Sequence, residues 1–149
     1  MPTVLKSVIV DHPAREMFAL VDGVERYPEF LPWCAATELF ERTVEATRAR
    51  IEIDYHGLKT RVATANRNAP PEWIHLDFTE GPFERFHGHW HFSALGESGC
   101  RVEFSLDYAF SSRALEALLG PVIGHIAETL VERFVERADR LREAARAAP

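Results

Sequence analysis

Arg101-Val102-Glu103-Phe104-Ser105-Leu106-Asp107-Tyr108-Ala109-Phe110 is followed by Ser111-Ser112, and the change of period across that serine pair decides the fold. Before it, Val102, Phe104, Leu106, Tyr108 and Phe110 alternate with Arg101, Glu103, Ser105 and Asp107. Successive side chains of a strand point to opposite faces, so this run has one apolar face and one wet face. After it, Leu115, Leu119, Val122, Ile126, Leu130, Phe134, Ala138 and Leu141 recur at threes and fours, the stripe of an amphipathic helix. From Pro121 to Ala145 that helix runs roughly 37 Å at ~1.5 Å per residue. Gly120-Pro121 is expected to bend or restart it.

Working toward the N-terminus, the same alternation appears in Phe86, Gly88, Trp90 and Phe92, in Ile74, Leu76 and Phe78, and more briefly in Ile51, Ile53 and Tyr55. His56-Gly57, Asn66 to Pro71, Gly81-Pro82 and Gly96 to Gly99 punctuate these runs as turns. About six consecutive strands therefore fill Ala35 to Phe110. Upstream, Thr3 to Val10 is rich in β-branched residues and forms a first strand. Ala14 to Val21 follows as a short helix, capped by Asp11 or His12 with Pro13 in its first turn, and Val24 to Phe30 adds a second short turn. The fold class is α+β: a curved antiparallel sheet wrapped around a long C-terminal helix, with two short helices after the first strand. One helix does not fill the concavity of a six-stranded twisted sheet at every point, so an apolar gap is expected between them.

The 149 residues make one domain, spanning 1–149. Seventeen basic against 23 acidic side chains leave a net charge of -6, which argues against a protein devoted to neutralising phosphates and against DNA as a partner. Cys34 and Cys100 fit no metal or redox spacing and read as buried free thiols. No signal-peptide layout and no apolar run near 20 residues stands out, so the expected location is the cytoplasm.

Inward strand positions are nearly all apolar, while Asp54, Asp77 and Asp107 fall on the other face. No nucleophile stands beside a base at motif spacing, so no catalytic residues and no cofactor are expected. His87, His89 and His91 share the outer face with His75. Two imidazoles at i and i+2 suit a metal, but a solvated face without a pocket is the reading adopted, and no metal site is assigned. Arg48, Arg50, Lys59 and Arg61 fall on two neighbouring strands and share an outer face, a modest basic patch.

The segment Val21-Asp22-Gly23-Val24-Glu25-Arg26-Tyr27-Pro28-Glu29-Phe30-Leu31-Pro32-Trp33-Cys34 resembles the signature of the coenzyme Q-binding START-like family, part of the polyketide cyclase/START superfamily. Gly81-Pro82-Phe83, Gly88-His89-Trp90-His91-Phe92 and Phe134-Val135-Glu136-Arg137-Ala138 continue the pattern in order. The histidine content of Phe86 to His91 exceeds that pattern. The resemblance implies a helix-grip fold with a hydrophobic tunnel under the last helix. It also implies one of two roles: binding of ubiquinone or another polyprenyl quinone in support of respiration, with transient membrane contact, or binding of the large ribosomal subunit to block subunit joining, as in ribosome association toxins. For the first role, Phe83, Trp90, Phe104, Tyr108, Ile126, Leu130 and Phe134 are expected to line the cavity, with Phe30, Leu31 and Trp33 at its rim. For the second, the partner surface is the patch of Arg48, Arg50, Lys59 and Arg61.

Overall fold

Six of the seven strands form an uninterrupted antiparallel meander, because each is joined to the next by a turn of two to three residues or little more. The structure, a computed structural model, describes residues 3–147; residues 1–2 and 148–149 of the expected span lie outside the described residues. The strands are β1 (Thr3–Val10), β2 (Cys34–Arg42), β3 (Ala46–Tyr55), β4 (Leu58–Ala69), β5 (Trp73–Glu80), β6 (Phe83–Leu95) and β7 (Gly99–Phe110). The helices are α1 (Ala14–Asp22), a 3₁₀ turn at Val24–Glu29, and α2 (Arg113–Ala147). Sheet order is β1-β7-β6-β5-β4-β3-β2, with every neighbouring pair antiparallel. The tight β3–β4 hairpin works because His56 and Gly57 both take positive φ (51° and 85°), the pairing that a two-residue turn between twisted strands requires. Register shifts at Leu39/Glu41, Ala63/Thr64 and Phe83/Arg85 bend the strands and help the sheet curl.

In β7, Val102, Phe104, Leu106, Tyr108 and Phe110 are all buried, as the alternation requires, and Cys100 joins them. On α2 the stripe read from the sequence is buried at Leu119, Val122, Ile126, Phe134 and Ala138, half-buried at Leu115 and Leu130, and exposed at Leu141. The helix lies against the concave face, and Lys6 of β1 ties it down through Glu128 at 2.8 Å. Both cysteines are free and buried.

Three expectations need correction. α2 does not restart at Gly120-Pro121: it begins at Arg113 and continues through Pro121 for 35 residues. Ala117, whose carbonyl loses its N–H partner to Pro121, sits on the exposed side, where solvent replaces the missing bond. α2 also contains a window apolar and long enough to cross a bilayer by length and composition alone, at hydropathy 1.4, with a third of that window buried against the core. Finally, neither Asp11 nor His12 caps α1; Pro13 occupies the cap position, and its carbonyl takes the Glu16 and Met17 N–H groups. His12 is buried and bonds Asp139 at 2.6 Å, while Arg142 donates to the Asp11 carbonyl at 2.8 Å. The residues before α1 thus anchor the end of α2.

The short helices cross from the β1 edge to the β2 edge, and Arg42 clamps them there. Its guanidinium bonds the Glu25 carboxylate and donates to the Asp22 carbonyl at 2.8 Å. The hydrogen bond from Arg42 holds the Glu25 carboxyl below its ordinary value. A depressed folded-state pKa adds stability that is present above the unfolded value and fades as pH falls through the folded one. Glu25→Gln is therefore expected to lower the unfolding free energy by about 1 kcal/mol or less at neutral pH, since the pair is partly exposed and screened. The difference from wild type should close below pH ~4, the ordinary carboxylate value, when denaturation is followed across pH.

Candidate functional site

Between the concave face and α2 lies a cavity of about 130 Å³. Its apolar wall is built by Trp90 of β6, Phe104 of β7 and Ile126, Leu130 and Phe134 of α2. Trp90 is the hinge of that wall: its ring lies 4.4 Å from Phe104 and 5.4 Å edge-on from Phe134. The inner face of β3 and β4 supplies Ala49, Ile53 and Val62 opposite. Gly88 leaves room where Leu76 leans across from β5; a Cβ there would come within 2.7 Å of the Leu76 side chain. An apolar void of about 150 Å³ in another protein accepts benzene, so the space here suits one ring.

Of the ten ligand-binding residues expected from sequence, the structure places Trp33, Trp90, Phe104, Ile126, Leu130 and Phe134 on the cavity wall. The other four lie elsewhere. Phe83 and Tyr108 belong to an aromatic cluster with Phe86 and Phe110, where ring centroids sit 4.9–6.0 Å from Phe83 and fill the space at that end of the sheet. Leu31 is fully buried and plugs the base of the 3₁₀ turn. Phe30 packs on Phe134 at 5.4 Å, beneath the Arg137 guanidinium, and faces a surface groove between α1 and α2.

The interior is also more polar than the alternation suggests. Asp22, Tyr27, Trp33, Thr64 and Asn66 reach the cavity wall. Behind them a buried chain of hydrogen bonds runs from Asn68 Nδ2 to Thr47 Oγ1 (3.0 Å) and from Thr47 Oγ1–H to Asp22 Oδ1 (2.9 Å). Thr64, Asn66 and Asn68 occupy successive inward positions of β4, which runs on to Ala69 and so overturns the expectation of a turn from Asn66 to Pro71. Thr47→Val strips Asn68 and Asp22 of their shared partner. It is expected to cost about 1–3 kcal/mol in a urea denaturation series. Tyr27 donates its hydroxyl to the Val21 carbonyl, and burial raises its pKa. Burial also pushes the Cys34 thiol up to about 11, which keeps it a thiol at neutral pH.

The outer face carries the histidines, as expected. His87 Nδ1 bonds Asp77 at 2.5 Å, drawing the Asp77 carboxyl below its ordinary value, and His91 approaches Glu103 at 3.7 Å. Among the described residues no group of three or more His, Cys, Asp or Glu side chains is placed to hold a metal ion. That face is not featureless, however: Leu5, Trp73, His89 and His91 border a shallow depression, contrary to the expectation of none. Arg48, Arg50, Lys59 and Arg61 do share the outer face of β3 and β4, but acids interleave with them. Arg50 pairs with Glu38 at 2.7 Å and Glu80 at 3.8 Å, and the register sets Glu52 opposite Arg61 and Asp54 opposite Lys59.

A seven-stranded antiparallel sheet gripping one long helix is the START-like, helix-grip fold. Residues 10–135 match the family described as polyketide cyclase / dehydrase and lipid transport, and the chain belongs to that family. It is 38% identical over 136 residues to the ribosome association toxin RatA of Pseudomonas aeruginosa, covering 91% of this chain and 94% of the relative. A mitochondrial coenzyme Q-binding protein homologue of Xenopus laevis is 23% identical over 141 residues, 91% of this chain and 57% of that one. Among solved structures, the Zhui aromatase/cyclase of Streptomyces superposes with a TM-score of 0.84 at 17% identity over 97% of both chains, a likeness of fold.

Proposed function

We propose that the protein is a carrier: residues 1–149 form one START-like domain that shelters a ring-bearing lipophilic molecule, of the polyprenyl quinone class, between sheet and α2. The observation that carries this reading is the ring-sized cavity walled by Trp90, Phe104, Ile126, Leu130 and Phe134. The family's lipid-transport description and the similarity to a coenzyme Q-binding protein support it. Burial supplies ~25 cal/mol per Å² of apolar ligand surface before ordering costs. The quinone ring matches the cavity; a polyprenyl tail exceeds it and leaves along α2. The mechanism is exclusion of water and delivery in the cytoplasm, through transient membrane contact in support of respiration, with no bond made or broken. Organic extraction of the protein purified from a quinone-making host is expected to yield quinone in near-stoichiometric amount. Repeatedly empty extracts would contradict the reading.

A second reading rests on the relative named for ribosome association, which is 38% identical across nearly the whole chain. In it the outer face of β3 and β4 meets the large ribosomal subunit and blocks joining. Among the described residues Arg48, Lys59 and Arg61 form no ion pair, whereas Arg50 does, so the first three are the cations left to meet phosphate. Co-sedimentation with ribosomal subunits that weakens with rising salt, and is lost when those three become Glu, supports it. No co-sedimentation at low salt rejects it.

A further inference from the structure

The polar atoms on the cavity wall differ in whether they are open to it. Asp22 accepts from Thr47, and Tyr27 donates to the Val21 carbonyl, so both are engaged. Trp33 Nε1 and Asn66 Oδ1 have no partner but are sealed even from water, so neither faces the empty space. Thr64 Oγ1 and Asn66 Nδ2 are different. Neither has a hydrogen-bond partner among the described residues, yet both atoms stay accessible, and both residues line the cavity.

Their neighbours explain why they are open. Thr64 and Asn66 stand two residues apart on β4 and so share its inner face. Thr64 is flanked on β3 by Ala49, whose methyl group is too short to cover the hydroxyl, and on β5 by Phe78, whose ring packs on Phe83 at 6.1 Å. Asn66 lies between Thr47 and Leu76, and Thr47 Oγ1 is already bonded to Asp22 and Asn68. With Oδ1 sealed, the amide nitrogen is the end of Asn66 left to the cavity. Any molecule that fills the space takes water away from these two donors. Only one that brings an acceptor replaces the lost bonds.

We propose that Thr64 Oγ1 and Asn66 Nδ2 form an oxygen subsite: both donate to oxygen carried by the bound ring, while Trp90, Phe104 and Phe134 take the ring itself. This rests on the carrier reading and narrows its cargo to oxygen-bearing rings, because a plain hydrocarbon strands both donors on entry. Quinone and hydroquinone oxygens both accept, so the subsite selects for oxygen and not for redox state.

The test is a titration of the full-length protein, delipidated and refolded if extraction finds cargo, with duroquinone and durene. The two share a tetramethylated six-membered ring and differ in the two ring oxygens. Wild type, Thr64→Val and Asn66→Leu are compared, with thermal melts confirming the fold. Each substitution keeps the side chain close to its size and removes its donor. Each is expected to weaken duroquinone about fivefold and to leave durene unchanged or tighter. The infrared carbonyl stretch of bound duroquinone is expected to lie below its value in hydrocarbon solvent and to move back toward it in both variants. The subsite is overturned if durene weakens in parallel with duroquinone, if both variants bind duroquinone as tightly as wild type, or if the bound carbonyl stretch stays at its hydrocarbon value. Should one variant unfold, the other decides. If neither probe binds wild type, the carrier reading fails and the subsite with it. Binding of both probes without dependence on Thr64 or Asn66 removes only the subsite.

Discussion

Phe134→Ala is expected to lower the unfolding free energy by about 3–5 kcal/mol, the range for deleting a buried aromatic ring. Phe134 is 1% exposed and stands where three rings meet: Tyr27 at 5.5 Å, Phe30 at 5.4 Å and Trp90 at 5.4 Å. It is the point at which α2 is pinned both to the sheet and to the 3₁₀ turn. In a chain of this length each kcal/mol moves the melting temperature by roughly 2–4 °C, so a drop of about 10 °C is expected in a thermal scan. Because Phe134 also walls the cavity, its loss enlarges the same space. A small aromatic solute should therefore raise the melting temperature of Phe134→Ala more than that of wild type, through binding to the folded state alone. A variant that melts normally would mean that α2 is held by other contacts.

Ala49→Phe tests the cavity from the opposite wall. Ala49 is buried on the inner face of β3 and borders the empty space, so a phenyl group projecting from it occupies the volume offered to a ligand ring. Overfilling a core costs about 1–3 kcal/mol, and the void absorbs part of the added ring. The fold should survive while ring binding falls on the order of 100-fold or more, since a single misplaced methylene already costs 10- to 200-fold at some sites. Calorimetric titration of the variant with a short-chain benzoquinone checks this. Undiminished affinity would place the ligand elsewhere, the groove between α1 and α2 beside Phe30 being the alternative location.

The sheet and α2 were legible because period two and period 3.6 are local signals, and the run through Ser111-Ser112 shows both within one stretch. The pairing of β1 with β7 was not, since nothing in Thr3 to Val10 names a partner a hundred residues away. The placement of Pro121 inside α2 was missed because a proline rule tuned to buried carbonyls overlooks one open to solvent. Among site residues, strand alternation correctly turned Trp90 and Phe104 toward α2, yet it put Phe83 and Tyr108 on the same apolar face without saying that neighbouring rings fill the space there. The polar part of the wall was missed because Asn66 to Pro71 reads as a turn, whereas β4 continues to Ala69 and carries Thr64, Asn66 and Asn68 inward. That Thr64 and Asn66 are the members left with open donors depends on side-chain geometry, which no sequence period encodes. The basic patch shows the same limit: Arg48, Arg50, Lys59 and Arg61 share a face as read, but Glu38 and Glu80 reach Arg50 from strands on either side.

The most direct test of the cavity as a binding site is a two-dimensional NMR titration of the labelled protein with a short-chain benzoquinone. The carrier account predicts saturable shifts confined to residues facing the cavity, such as Ile126, Leu130 and Val62, and a displaced indole N–H signal from Trp33. Shifts that map instead to the outer face of β3 and β4, or a spectrum unchanged at saturating ligand, would contradict it.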